Sequence, residues 1–338
     1  MQVLELQGFG LEHLKRVTRK DPEPGPGQVV VRMRYASLNF RDQVIVAGGY
    51  GSLIRTPLVP CSDGAGEVVA VGDGVRRFAP GDRVMTCFFQ GWSSGAPTPD
   101  KLATVLGGPL DGTLCELMCV SEHGLCRLSD QTSLRDAATL PCAAVTAWHA
   151  LAVLDRIGPS DTVLVQGTGG VSLFALQFAK LMGARVIATS SNDDKLERLR
   201  ALGADHTLNY VRTPEWGKAV RALTEGRGVD HVVEVGGAGT LGQSLRAVRP
   251  GGTVSSIGVL SGVKHEVHLP HLFMSQVRLQ GVIVGSRETA EQMLRAIEAH
   301  ALRPVIDDAV FSLTNIGEAF EHMRAGKHFG KIAIAIED

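Results

Sequence analysis

Residues 161–191 read DTVLVQGTGGVSLFALQFAKLMGARVIATSS, and this run constrains the fold more than any other. A β-branched apolar segment stops at Gly167, an apolar stretch of helical length follows, and a second apolar segment ends at Ser190 and Ser191. The order is strand, glycine turn, helix, strand. Gly167 permits a sharp exit from the strand, and Gly169 removes the Cβ that would hold a pyrophosphate away from the backbone. Gly170 and Val171 open the helix, where unpaired N–H groups and the positive end of the helix dipole suit phosphate oxygens. The turn Gly167, Thr168, Gly169, Gly170 and Val171 is therefore expected to hold a dinucleotide. Ser172 stands where the G-x-G-x-x-G/A pattern takes a smaller residue, so either the helix packs slightly more loosely or the hydroxyl turns to the phosphate.

The same alternation continues from 160 to 286. The segments HTLNY, VDHVVEV, GGTVSSIGVL and VRLQGVIVGS read as strands separated by helical stretches, which predicts a doubly wound, mostly parallel sheet. Residues 2–120 read differently. Short strands (QVLELQ, GQVVVRMRYASLN, GEVVAVG, DRVMTC) separated by PGPG, GDG and PGD turns predict an antiparallel, partly closed β domain. After 286 come a helix, a short strand, a helix and the last strand KIAIAIE. With 338 residues the chain exceeds one comfortable core. The expected division is 1–140 with 287–338 as one domain, interrupted by 141–286. Residues 90–114 form a long loop expected to lie over the active site.

Lys plus Arg number 34 against 35 for Asp plus Glu, so no overall field favours nucleic acid or an anionic membrane, and a small-molecule substrate is expected. The N-terminus lacks a basic segment followed by an apolar run, which fits a cytoplasmic protein. The six cysteines form no disulfide-scaffold spacing and are expected to be reduced thiols.

SLNFRD (37–42), GGY (48–50), DGAGEVVAVGDGV (63–75), PGDRV (80–84), LPCAAVTAWHAL (140–151), LGADHTLNY (202–210), GVDHVVEVGG (228–237), RPGGTVSSIGVLSG (249–262) and VGSRE (284–288) join the glycine turn in one pattern. In it the chain resembles the medium-chain dehydrogenase/reductases over essentially its whole length, specifically their zinc-independent, quinone oxidoreductase-like branch. The resemblance implies an α/β protein: a GroES-like antiparallel β catalytic domain plus a Rossmann doubly wound parallel sheet. It also implies an NAD(P)H-dependent oxidoreductase that works as a homodimer, with VRLQGVIVGS as the pairing edge.

Zinc-dependent members hold their catalytic metal with Cys, His, and Cys or Asp, often with a Glu beside the His. The resemblance puts Asn39, Ser62-Asp63 and Cys142 at those places, and one thiol cannot supply three protein ligands, so no metal is expected. Cys142 reads as a small buried residue near a helix start. His265, His268 and His271 are interrupted by Pro270 and read as a solvated loop.

The residue ending the second strand of the unit decides between cofactors, because a carboxylate there binds the ribose 2′-OH and repels a 2′-phosphate. Ser190 holds that place, Ser191 follows and Lys195 lies one helical turn on, which favours NADPH; Asp193 and Asp194 argue for the alternative, NADH. The resemblance adds Tyr210 to the phosphate site, and Gly258, Val259, Leu260, Val284 and Ser286 to the surroundings of the nicotinamide.

The resemblance also sets the catalytic candidates: Asn39 and Tyr50 to hold the substrate oxygen, and Thr146 near the nicotinamide amide. Asn39 offers N–H donors and Tyr50 a phenol O–H, although Asn39 is equally a candidate N-cap for the helix starting at FRD. Arg41 and Asp42 are expected to pair and orient the loop. Phe88, Phe89 and Trp92 are candidates for an aromatic pocket wall, with core packing as the competing role. Hydride addition to an enone or quinone spreads the developing charge through a conjugated system that a few donors can stabilise. Oxidising a simple alcohol needs a base, and no His-Asp or Lys-Tyr pairing is evident. The expectation is a zinc-independent NADP(H)-dependent oxidoreductase acting on a quinone, enone or other conjugated carbonyl. The alternatives are an alcohol dehydrogenase or aldehyde/ketone reductase of the same superfamily, and a non-catalytic NADPH-binding protein.

Overall fold

The alternation between 160 and 286 becomes a six-stranded, all-parallel sheet. Its strands lie in the order His206–Asn209, Arg185–Ser190, Thr162–Gln166, Val229–Glu234, Val248–Ser256 and Arg278–Gly281. Every residue of the two central strands, Thr162–Gln166 and Val229–Glu234, is buried; this is why they read as continuous apolar runs rather than as alternating ones. The winding reverses between those two strands, and in an open parallel sheet the ligand crevice lies beyond their C-terminal ends. The computed structural model describes residues 1–336. It divides the chain into two compact units, Met1–Val145 with Gly285–Asp338, and Thr146–Val284. This division falls at 145/146, inside the helix Ala143–Trp148, whereas 140/141 lies in the turn just before it.

The glycine turn sits at the reversal. Gly167 has φ 73°, the left-handed region where a Cβ is penalised. Gly169 is different: its φ is −78°, an ordinary value, and no protein atom lies within 4 Å of where its Cβ would be. Nothing in the fold itself demands glycine at 169, and the space that a Cβ would enter is open. Helix Gly170–Leu181 follows directly, burying Leu173, Phe174, Leu176 and Phe178. It ends where Gly183 takes φ 82° and the Ala184 N–H reaches back to the Ala179 carbonyl at 2.9 Å. Ser172 fits neither alternative drawn from the sequence. Its buried hydroxyl donates to the Gln166 carbonyl at 2.6 Å, tethering the helix to the strand end instead of facing a ligand.

Across the reversal, the buried Glu234 carboxylate fixes the opposing turn. It accepts the backbone N–H of Gly236 and Gly237 at 2.8 and 2.9 Å, the Thr240 hydroxyl, the Gln166 amide at 2.9 Å and the Ser244 hydroxyl. The last strand, Arg278–Gly281, is shorter than the ten-residue segment read from the sequence, and all four of its residues are exposed. The KHEVHLPH region is not wholly loop: a helix, Leu269–Met274, starts there with Pro270 in its first turn and leaves Leu269, Phe273 and Met274 exposed.

In the other unit a seven-stranded sheet orders Phe311–Ser312, Ile332–Ala335, Gln28–Leu38, Asp63–Val71, Arg83–Thr86 and Leu125–Arg127, with Leu117–Ser121 also on Gln28–Leu38. All its pairings are antiparallel except that of Phe311–Ser312 with Ile332–Ala335. Gln2–Leu6 forms a separate two-stranded ribbon with Leu14–Thr18. Sequence reading passes over Leu14–Thr18 because LKRVT has no buried residue and two charges. Leu6, Met33, Leu38, Ile45, Leu114 and Ile334 belong to one core. Two registers matter for function: Ser37 lies opposite Asp63, and Leu38 opposite Ile332.

The two glycines of the turn separate by experiment. Gly167→Ala is expected to cost about 1–2 kcal/mol of stability from its left-handed backbone. Gly169→Ala is expected to leave thermal unfolding of the free protein unchanged while weakening dinucleotide binding about tenfold or more. Unchanged dinucleotide affinity in Gly169→Ala, measured by fluorescence titration, would contradict this.

Candidate functional site

The strand registers bring three distant residues together. Asn39 follows Leu38, Asp63 faces Ser37, and Lys331 precedes Ile332, so all three converge at one end of neighbouring strands. Lys331 is only 3% exposed. Its ammonium donates to the Leu38 carbonyl at 2.7 Å, to Asn39 Oδ1 at 2.6 Å and to Asp63 Oδ2 at 3.3 Å. Three N–H donors thus meet three acceptors. The Ser62 hydroxyl donates to Asp63 Oδ1 at 2.8 Å, and Asn39 Nδ2 lies 3.5 Å from Ser62 Oγ.

Asn39 holds the N-cap position of helix Phe40–Val46, with φ −124° and ψ 156°, in a capping box with Asp42, whose backbone N–H faces the Asn39 side chain. The side-chain oxygen also accepts from Lys331 at 2.6 Å, and Asp42 accepts the Asn39 backbone N–H at 2.7 Å. Asp42 is fully buried; burial first of all pushes its carboxyl up to about 6, against the opposing effects of Arg41 and that backbone N–H. Arg41 lies 3.6 Å from Asp42 and donates to the Leu106 and Gly108 carbonyls, so the expected pair is part of a wider loop anchor.

The donor set at the places that the resemblance assigns to zinc does not fit zinc. Asn39 offers an amide whose oxygen already accepts from an ammonium, and Ser62 a hydroxyl that donates to Asp63. Cys142 is half-buried just before helix Ala143–Trp148, and burial, then the Asp63 charge, push its thiol up and so keep its proton on. A catalytic zinc needs three deprotonated or imidazole ligands. Among the described residues no three His, Cys, Asp or Glu side chains converge as a metal site.

Tyr50 is exposed and opens the short turn Gly51–Leu53, outside the Lys331 cluster. Thr146 is buried in helix Ala143–Trp148 and is the first residue of the second unit. Phe88, Phe89 and Trp92 are all buried and pack edge to face, with ring centres 4.8 and 5.4 Å apart. They form the core of their loop rather than an open wall.

In the second unit, Ser190 ends its strand with its hydroxyl accepting the Asn192 N–H at 3.3 Å. Asn192 caps helix Asp193–Ala201 by accepting the Lys195 N–H at 3.0 Å, which puts Asp193 and Asp194 in the first turn, where carboxylates suit the dipole. The exposed Tyr210 joins this edge through its N–H, 3.1 Å from the Ser190 carbonyl. Sequence reading missed Arg212, whose guanidinium pairs with Asp193, while Asn209 Nδ2 donates to the same carboxylate at 2.9 Å. One of the two acids that argued for NADH is thereby engaged. The other end of the crevice carries Gly258, Val259 and Leu260; Gly258 donates its N–H to the Glu234 carbonyl at 3.2 Å, and Val259 and Leu260 are exposed. Val284 takes φ 43°, a strained value for a β-branched residue, with its carbonyl 2.5 Å from His149 Nδ1. Ser286 lies in the first unit and caps helix Arg287–Ala299, its hydroxyl accepting the Thr289 N–H at 3.2 Å. The turn that opens at Gly169 and the phosphate-compatible edge around Ser191 fit a nicotinamide dinucleotide.

Asp42 makes stability depend on pH with a definite sign. Its folded value of about 6 exceeds the ordinary 3.8, so between those values the folded state binds more protons than the unfolded chain. Stability is therefore expected to fall by on the order of 2–3 kcal/mol as pH rises from about 4 to 6.5. Asp42→Asn, which keeps an acceptor for the Asn39 N–H, should remove this part of the slope in denaturant unfolding. An identical slope in the variant would contradict the assignment.

Residues 25–130 match the alcohol dehydrogenase GroES-like domain, and residues 170–299 the zinc-binding dehydrogenase domain. A zinc-type alcohol dehydrogenase-like protein of Schizosaccharomyces pombe is 39% identical, over 98% of this chain and 97% of its own length. An acryloyl-coenzyme A reductase of Metallosphaera sedula is 27% identical, over 93% of this chain and 94% of its own length. Among solved structures, an NAD-dependent alcohol dehydrogenase superposes with a TM-score of 0.89 at 34% identity, covering 100% of each chain. The nucleotide crevice, the GroES-like sheet and these relatives lead to one conclusion: the chain belongs to the medium-chain dehydrogenase/reductase superfamily and is an alcohol dehydrogenase-like, NAD(P)-dependent oxidoreductase.

Proposed function

We propose that this chain is a zinc-independent, NADPH-dependent reductase of quinones, enones or related conjugated carbonyls. The observation that carries the reading is the buried ammonium of Lys331 on Asn39 and Asp63, at the place where a zinc-dependent relative would keep its metal. An uncharged amide cannot match the polarising power of a Lewis acid. A conjugated acceptor needs less: as hydride adds to the β-carbon, the electron pair moves through the double bond to the carbonyl oxygen. A proton from solvent then completes reduction at the α-carbon. The bound dinucleotide supplies the hydride.

The chain's own part is to bind and to stabilise charge. Gly169 and the start of helix Gly170–Leu181 receive the pyrophosphate, and Ser191, Lys195, Tyr210 and Arg212 form the edge that favours a 2′-phosphate. Asn39 presents N–H to the developing oxyanion, a type of contact worth about 10²–10³ in kcat elsewhere. Tyr50 is the candidate second donor, and Thr146 the contact for the nicotinamide amide. The name of the acryloyl-coenzyme A reductase supports a conjugated substrate. The NAD-dependent alcohol dehydrogenase name favours the second reading, reduction of simple aldehydes and ketones or oxidation of alcohols. Against that reading stands the Asn39 cluster, whose carboxylate, Asp63, is already engaged by the Ser62 hydroxyl and the Lys331 ammonium.

Steady-state rates with NADPH and NADH against a quinone, an enal and a simple ketone test the proposal. The expected result is turnover of the conjugated substrates, with NADPH preferred by about tenfold or more in kcat/KM. Turnover confined to the ketone or to alcohols would replace it by the second reading. Tight NADPH binding with no turnover of any of them would leave a non-catalytic nucleotide-binding protein.

A further inference from the structure

We propose that Lys331 is the positioning residue for Asn39: it fixes the side-chain amide so that the N–H edge, not the carbonyl, is offered to the substrate. The inference rests on the reading of Asn39 as the oxyanion donor. An amide of this shape fits its surroundings almost equally well in two orientations related by exchange of O and N, and only the neighbours choose between them. A lysine ammonium donates and cannot accept. At 2.6 Å from Lys331 Nζ, the amide atom must therefore be oxygen.

The other protons of the cluster are assigned the same way. Lys331 spends its remaining donors on the Leu38 carbonyl and Asp63 Oδ2. Ser62 gives its hydroxyl proton to Asp63 Oδ1, so toward Asn39 Nδ2 it shows a lone pair at 3.5 Å, which is at most a weak contact. The capping box with Asp42 also turns a backbone N–H of the helix start toward the Asn39 side chain, and that donor selects the oxygen as the ammonium does. One directional sequence results, from ammonium to amide oxygen and from amide nitrogen outward. The positive charge on the oxygen side also draws electrons from the amide and makes its N–H a stronger donor. The carboxylate of Asp63 balances the ammonium, so the donor edge is polarised without an unpaired charge in the interior.

Lys331 also ties the last strand to Leu38, and a purely structural role must be told apart from positioning. The variants are K331M, K331R, and K331M/D63N, which removes both buried charges and serves if K331M fails to fold. The Asn39 side-chain amide pair is identified in ¹⁵N–¹H spectra by its loss in N39A. In wild type it is expected to exchange slowly. In folded K331M or K331M/D63N it should shift and lose about tenfold or more of its exchange protection, and K331R, donor-only like lysine, should restore it. With whichever electrophile the wild type reduces, kcat should fall about tenfold or more, with KM for NADPH unchanged and K331R recovering most of the loss. An unchanged amide pair in a folded variant that lacks the ammonium would overturn the proposal. So would full kcat in that variant. Wild-type turnover confined to simple ketones would instead defeat the conjugated-substrate reading, while the amide spectrum would still decide the role of Lys331.

Discussion

A buried ammonium has to be answered by acceptors on every side, and in this protein that requirement ties together the start, the middle and the end of one unit. Lys331 reaches the Leu38 carbonyl, the Asn39 amide and the Asp63 carboxylate. Those contacts exist only if Ile332–Ala335 pairs with Gln28–Leu38 in the observed register, because a slip of one residue sends every side chain to the opposite face. Breaking a buried pair by removing one partner typically costs about 3–5 kcal/mol, since the remaining charge is stranded. The same group therefore serves as a lock on strand register and as the orienting charge of the candidate site.

The second unit solves a different problem, how to leave a cradle open for phosphate while keeping the surrounding turns rigid. Gly169 does the first, with nothing near its absent Cβ. Ser172 and Glu234 do the second: one hydroxyl pins the helix to Gln166, and one carboxylate collects five donors from the facing turn, Gln166 and Ser244. Both are polar groups buried at the point of reversal, and burial there is tolerable because their hydrogen bonds are satisfied.

The parallel sheet was legible because its central strands are covered on both faces and so leave unbroken apolar runs, and the glycine turn because its steric demands are local. What the sequence hid was non-local. Lys331 in GKIAIAIE looks like any lysine before a strand, and its partners Leu38 and Asp63 lie 293 and 268 residues away. Asn39 was read from its neighbours FRD as both a cap and a donor, and nothing in them announced that its side-chain oxygen also meets a lysine at the far end of the chain. Arg212 follows a tyrosine that was noticed, yet its pairing with Asp193 depends on strand His206–Asn209 lying beside Arg185–Ser190. Leu14–Thr18 was missed for an energetic reason, since an edge ribbon with little burial carries little hydrophobic signal.

The central claim is that charge and hydrogen bonding around Asn39 suffice for a conjugated carbonyl, without the metal that zinc-dependent relatives use. The most direct test is calorimetric titration of the chelator-treated protein with zinc, followed by NADPH oxidation with and without the metal. The account predicts no stoichiometric binding tighter than about micromolar at neutral pH, and turnover that neither needs zinc nor responds to chelator. One equivalent of tightly bound zinc, with turnover restored only by its addition, would contradict it.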